Sequence, residues 1–298
     1  MANQIILAQK YVPILDGIYK RESLTARLLG ANALIRFDGA NVVKVFKTQV
    51  DGYADYSRAN GFVKGSITTG WETYTMTKDR GVEISVDRMD DEETLGMAFG
   101  TLAGEFMRTK EIPELDAYRF ACMAGTTGIT SASAAITVGT TDVPGLIDTA
   151  ESVLGDDEVP EEGRILFVSE KAYAGIKSKI TRMLVNEFDV QREVETFNGM
   201  PVVRVPKSRF ATGVTLYDGT SNFGYKVATG AYYINFMIVH PSAVLPVVKH
   251  DIVKIFTPDE NQTADAWKFQ VRTYHDMFVL DQKVKGIYCH YDTTAITP

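Results

Sequence analysis

The side chains best suited to proton transfer or metal ligation near neutral pH are four histidines, His240, His250, His275 and His290, all in the last third of the chain. Two have an acid close by. Asp276 follows His275, and Asp292 lies two residues after His290, so either pair offers an acid and a base within reach. Zinc asks for more: ligands at short, fixed separations. No two of these histidines stand at i, i+4 or in an HxH arrangement, and Cys122 and Cys289 are far apart with no CxxC pair. The acidic stretch Asp156-Asp157-Glu158 through Glu161-Glu162 lacks the alternating oxygen ligands of a calcium loop and reads as a solvated tip. A phosphate-cradling GxxxxGK[ST], a GxGxxG after a strand, an HExxH and a GxSxG are all missing from the sequence. No nucleophile is marked by a motif. The sequence therefore predicts no catalytic, cofactor-binding or metal-ligating residues, with an α/β enzyme using the His275/His290 region kept as an alternative.

Composition narrows the class further. With 298 residues, 45% hydrophobic and 23% charged, the chain can bury one large core or two modest ones. A formal net charge of −7 argues against general affinity for the polyphosphate backbone of nucleic acid. The start, MANQIILAQK, is not read as a signal peptide, and no run approaches the roughly 20 apolar residues of a membrane span. The two cysteines, each in an apolar setting, read as buried reduced thiols.

The elements that would position any functional group follow from periodicity. Residues 1–36 read as an arm with a helix over Ile14 to Leu29, stopped by Gly30. From Ala33 to Arg88 the chain is β-like. Val42, Val43, Val45 and Phe46 make one strand, and Trp71 to Thr77 another with Trp71, Thr73, Thr75 and Thr77 on one face. Val82, Ile84 and Val86 alternate with polar residues in a third. The Gly- and Ser-rich stretch from Asp51 to Gly70 predicts the far part of a projecting hairpin, since structureless loops of that length are uncommon in a compact domain. A long helix follows, with Asp90 as N-cap and Leu95, Phe99, Leu102 and Phe106 on one face, broken or kinked at Pro113 and resuming through Leu115, Tyr118 and Cys122.

Residues Gly125 to Thr141 are a composition break and a predicted domain boundary. Beyond it the sequence predicts a helix from Asp142 to Leu154, a strand Ile165-Leu166-Phe167-Val168, and a helix Glu170 to Ser178 capped by Ser169. Asn198-Gly199 predicts a two-residue hairpin turn, because both turn positions take positive φ. The expected later strands are Val214 to Tyr217, Tyr232 to Val239, Val244 to Phe256, Trp267 to Tyr274, Met277 to Val284 and Ile287 to His290. Tyr53, Tyr56, Trp71 and Tyr74 then stand out, because aromatics on a thin ribbon cannot all bury within their own sheet. They are candidates for contact with a neighbouring subunit, the alternative being that they pack back on the parent domain.

The order of these elements resembles the major capsid proteins of tailed double-stranded-DNA phages, the Hong Kong 97-like fold. The likeness is carried by GVEISVDRMDDEETLGMAFGTLAGEFMRTKEIPELDAYRF (81–120), GRILFVSEKAYAGIKS (163–178), FNGMPVVRVPKSRF (197–210) and WKFQVRTYHDMFVLDQKVKGIYCH (267–290). The resemblance implies an α+β fold with an N-terminal arm over residues 1–36 and an extended loop over 37–85. A peripheral domain would span 86–124 and 239–298, with the long helix as its spine, and an axial domain 125–238. It implies self-association into pentamers and hexamers, scaffolding and portal proteins as partners, and DNA enclosed without sequence-specific binding. The location implied is a virion capsid assembled in bacterial cytoplasm. The chain begins almost at the arm, which leaves assembly guidance to a separate scaffolding protein or to the arm itself.

Lys64 joins the four aromatics as a contact residue of the ribbon. Lys47, Lys64 and Lys78 lie where some relatives form a Lys–Asn crosslink, but no asparagine partner can be matched. Gly39, Gly52, Gly61, Gly65 and Gly70 are the candidate hinges. An encapsulin-like compartment shell would share the fold and hold protein cargo, so the cargo separates the two readings.

Overall fold

An antiparallel ribbon opens the β-structure. Strand β1 (Arg36–Asp38) pairs with β2 (Val42–Val50), and β2 pairs along its full length with β3 (Ile67–Thr75). The computed structural model describes residues 23–28, 36–38, 41–58, 61–93, 104–187 and 190–297. Most of the expected N-terminal arm and its helix from Ile14 to Leu29 lie outside these residues. Inside them, Ala26–Leu28 form one 3-10 turn.

After β3 the chain runs into β4 (Lys78–Asp87), whose inward side chains Val82, Ile84 and Val86 alternate with exposed polar ones as expected. Helix α1 (Arg88–Glu93) starts directly at the end of β4. This corrects the reading of Asp90 as N-cap: Asp90 lies inside the helix, and Asp87 accepts the Met89 amide at 2.9 Å in its place. With no linker after the strand, the first acidic residue in sequence takes the capping position. Leu95, Phe99 and Leu102 lie outside the described residues. A π-helical turn, Met107–Glu111, leads into α2 (Ile112–Gly125). Pro113 therefore follows the π turn inside one continuous helical run, and the irregularity falls in the preceding turn, among the carbonyls that its missing N–H would otherwise have met.

The break after α2 contains β5 (Thr130–Ser133), a strand that the composition did not suggest. Next come α3 (Val143–Asp156), capped by Asp142, then β6 (Ile165–Ser169) and α4 (Glu170–Ile176), capped by Ser169. Strands β7 (Thr181–Glu187), β8 (Val190–Phe197) and β9 (Met200–Val205) follow, and β8 turns into β9 through Asn198 and Gly199 at φ 48° and 80°. Two short strands, β10 (Val214–Leu216) and β11 (Tyr225–Val227), form their own hairpin. The chain closes with β12 (Tyr232–Val239), β13 (Val244–Phe256), β14 (Ala266–Val279) and β15 (Ile287–Ala295). Here too an expectation is corrected. The two strands read from Trp267 to Val284 are one strand ending at Val279, and Asp281–Gly286 is 3-10 helix. His275 and Asp276 did not interrupt the strand because both are buried with neighbours to pack on.

Seven strands form the main sheet in the order β5-β15-β12-β6-β9-β8-β7. Its centre buries both faces: Ile165 and Phe167 of β6 point to one apolar cluster, Leu166 and Val168 to another. This explains the unbroken apolar run at that point in the sequence. Helices α3 and α4 cover one face through Ile147, Leu154, Ala172 and Ile176, and α2 covers the other through Phe120 and Met123. The second sheet, β13-β14-β4, carries the ribbon at one end, where Val43 and Met76 pack against Leu245 and Val247.

Helix α2 is enclosed on more than one side and holds two buried charges. Asp116 accepts from Ser23 Oγ at 3.0 Å, the Leu24 and Thr25 amides at 3.0 and 3.3 Å, Thr25 Oγ1 at 2.7 Å and Arg209 Nη1 at 3.3 Å. Arg119 donates to Thr25 Oγ1 at 2.7 Å. A carboxylate with five donors is satisfied in the interior, and it fastens residues 23–25 to the helix.

Candidate subunit interface

The β2–β3 ribbon has two unlike faces. Glu72, Tyr74 and Met76 turn toward the body, and Trp71, Thr73 and Thr75 turn away from it, as a period of two requires. At the root the inward face is well held. Tyr74 stacks on Phe278 with centroids 4.9 Å apart, and its phenol donates to the Val279 carbonyl at 3.1 Å. Burial pushes that phenol's pKa up, so it remains a donor. The Tyr274 phenol donates to the Met76 carbonyl at 3.0 Å, and the Met76 amide to Asn41 at 2.8 Å. Contact with the body extends along β2 as far as Lys47, 3.9 Å from Asp281, and Thr48, whose carbonyl accepts from Gln282.

The outward face of the ribbon is organised but uncovered. Phe46 and Trp71 are register partners on the outward face, packed edge to face at 5.3 Å, and are 54% and 53% exposed. Such a cross-strand pair adds a few tenths to about 1 kcal/mol. Beyond it, Asp51 accepts from the Ser66 amide at 2.7 Å and the Ser66 hydroxyl at 2.6 Å, which holds its carboxyl below the usual range and closes the neck of the loop. Ser57 and Gly61 exchange backbone hydrogen bonds, with Gly61 at φ 75°. Tyr56 and Phe62 pack edge to face at 4.9 Å. Around them Val50, Tyr53, Val63 and Ile67 are exposed, and so is Lys64.

Of the five residues expected at an interface, Tyr53, Tyr56, Lys64 and Trp71 thus lie on the uncovered part. Tyr74 does not. It packs on its own body, because it stands an odd number of residues from Trp71 in the same strand. Phe46, Val50, Phe62, Val63 and Ile67 complete the apolar surface, and sequence reasoning did not single them out. The register opposite Trp71 marks Phe46, but that register is known only once the two strands are paired.

Most of the described groups that could do chemistry are engaged within the fold. His275 is buried edge to face with Tyr118 at 5.5 Å, and burial, followed by the nearby Arg119, drives its pKa down to about 4. It is therefore neutral. Asp276 is bonded to Thr77, Tyr118 and the Met277 amide. His290 lies flat on Phe236 at 4.8 Å with its Nδ1 3.2 Å from Asn235 Nδ2, and Asp292 accepts the Thr294 amide at 3.3 Å. His240 Nδ1 accepts the Ser242 amide, and the side chain of His250 is outside the described residues. The Cys122 thiol donates to the Met277 carbonyl at 2.9 Å, and burial raises it to about 11 and Cys289 to about 12, so both are protonated thiols. Among the described residues no three His, Cys, Asp or Glu side chains converge as a metal site would need. No helix among them is long and apolar enough to cross a membrane.

No protein-family model and no curated protein matches the sequence. Solved structures do match. A chain of Gordonia phage Cozz, 14% identical, superposes with a TM-score of 0.60 over 92% of this chain and 87% of its own. The capsid structure of cyanophage P-SCSP1u does so at 12% identity with a TM-score of 0.56, covering 90% and 87%. The crystal structure of a virus-like particle from Pyrococcus furiosus follows at 14% identity and 0.52, covering 93% and 95%. Sequences this distant share a backbone arrangement rather than a site. The chain has the fold of phage capsid subunits.

Proposed function

We propose that this chain is the major capsid protein of a tailed phage or prophage, assembling into an icosahedral shell around double-stranded DNA. The observation that carries the reading is the uncovered apolar face of the ribbon, from Phe46 and Trp71 out to Tyr56 and Phe62. Monomeric soluble proteins rarely leave a contiguous apolar surface of this kind, and one on a thin ribbon has no second layer of its own to cover it. A second copy supplies that layer. Each copy offers its ribbon to a neighbour and receives one elsewhere, a heterologous contact that closes into rings when the rotation allows. Ribbons that overlap several neighbours let thin subunits bury the 1,200–2,000 Å² or so that a stable contact requires.

In the Hong Kong 97-like arrangement, residues 1–36 form the arm, 37–85 the extended loop, 86–124 with 239–298 the peripheral domain, and 125–238 the axial domain. Pentamers and hexamers of the chain, with scaffolding and portal partners, build the virion shell in the host cytoplasm. The net charge of −7 suits a container that confines DNA without gripping it. The shell contributes no catalytic group. Sedimentation of the expressed chain tests the proposal: capsomers, tubes or megadalton shells are expected, and a 33.0 kDa monomer at high concentration, with its scaffold present, counts decisively against it.

A compartment shell that holds protein cargo is the second reading, favoured by the likeness to the Pyrococcus furiosus particle. Particles that purify with one companion protein and no DNA would select it.

A further inference from the structure

The ribbon leaves the body through Met76 and Thr77, and one buried carboxylate holds that exit. Asp276 is 3% exposed. Its Oδ2 accepts from the Thr77 amide at 2.8 Å and from Thr77 Oγ1 at 3.2 Å, and its Oδ1 from the Tyr118 phenol at 2.5 Å and the Met277 amide at 2.9 Å. Thr77 belongs to the link between β3 and β4, Tyr118 to α2, and Asp276 to β14. A single ion therefore joins the ribbon's exit to the helix and the sheet. Burial, then the carboxylate itself, keeps the Tyr118 proton in place as a donor. Swinging the exit would strip donors from a charge with no water to replace them, a costly change in the interior.

The length of the ribbon makes its direction matter. The outer end of the ribbon lies beyond the Thr48 contact with the body, so a small change of direction at the root is enlarged there.

We propose that Asp276 is a positioning residue for self-association, setting the direction in which the ribbon meets the next copy and thereby the curvature of the shell. This rests on the ribbon engaging a second copy. Two variants test it. Asp276→Asn leaves a single acceptor oxygen in place of the carboxylate pair, and Tyr118→Phe removes one donor at a position expected to tolerate it. Hydrogen exchange at the Thr77 amide, read by mass spectrometry on a peptide spanning residues 73–79, should quicken about tenfold in Asp276→Asn and less in Tyr118→Phe. Both variants should also assemble into particles of changed diameter or into tubes, while Tyr118→Phe unfolds at nearly the wild-type temperature. Exchange at the wild-type rate overturns the proposal, and so does faster exchange with unchanged particle diameter. If Asp276→Asn does not fold, Tyr118→Phe alone decides. Wild-type protein that stays monomeric refutes the shell reading, and the exchange comparison on that monomer still upholds or overturns the hold of Asp276 on the exit.

Discussion

The centre of the seven-stranded sheet and the outer part of the β2–β3 ribbon are both well-paired β-structure, yet they differ in what they lack. Phe167, Phe236 and Ile238 have side chains packed on every side, supplied by α2, α3, α4 and neighbouring strands. Phe46 packs on Trp71 and Tyr56 on Phe62, and all four stay more than half exposed. Pairing and turn chemistry organise a strand, but burial stabilises it, and an isolated two-stranded hairpin is marginal in water. The sheet is complete within one chain. The ribbon is complete only at its root.

Substitutions should separate the two regions cleanly. Phe236→Ala in the sheet is expected to cost the isolated subunit about 3–5 kcal/mol in denaturant unfolding, the usual loss for a buried aromatic. A loss under about 1 kcal/mol would mean the sheet relaxes more than its enclosure suggests.

A smaller effect is expected at Glu111, beside the π-helical turn. Burial, with the Asp251 and Glu114 carboxylates adding to it, raises the Glu111 acid from 4.5 to about 7, despite a 2.7 Å hydrogen bond from Thr273 Oγ1. The folded state thus holds this proton more tightly than the unfolded chain. Its contribution is fully present below pH 4.5 and is lost as pH rises through 7, with roughly 3 kcal/mol as an upper bound. Unfolding measured from pH 5 to pH 8 should show this slope, and Glu111→Gln should flatten it.

At the ribbon root, Tyr74→Phe removes one hydrogen bond to Val279 and should cost about 1 kcal/mol in the same unfolding measurement. The least effect on the subunit is expected farther out. Trp71→Ala gives up its cross-strand contact with Phe46 on a half-exposed face, under about 1 kcal/mol, while particle yield collapses. Unchanged yield in sedimentation would take Trp71 off the interface.

Much of this contrast was legible along the chain. The Asn198-Gly199 turn, the Ser169 cap, the apolar run at residues 165–168 and the β4 alternation are local patterns, and each appears where its residues predict it. Strand β5 was not legible, because Thr130–Ser133 carries no apolar alternation and is held by parallel pairing with β15, more than 150 residues away in sequence. The continuity of β14 through His275-Asp276 was missed for a related reason: a polar pair can lie inside a strand when distant residues such as Thr77 and Tyr118 satisfy it. At the candidate interface, the aromatic composition of the ribbon picked out Tyr53, Tyr56 and Trp71, which the fold leaves exposed, but not that Tyr74 faces home or that Phe46 faces out.

Local preference, period and turn chemistry act over a few residues, so the amino-acid order by itself determined the locally patterned strands, caps and turns and that a ribbon bears aromatics. It also determined that no ready-made catalytic motif is present. Which aromatics find partners at home, which acids are met by donors and which side of the ribbon stays bare depend on groups tens to hundreds of residues apart. Only folding brings those groups together, so only the tertiary structure decided them.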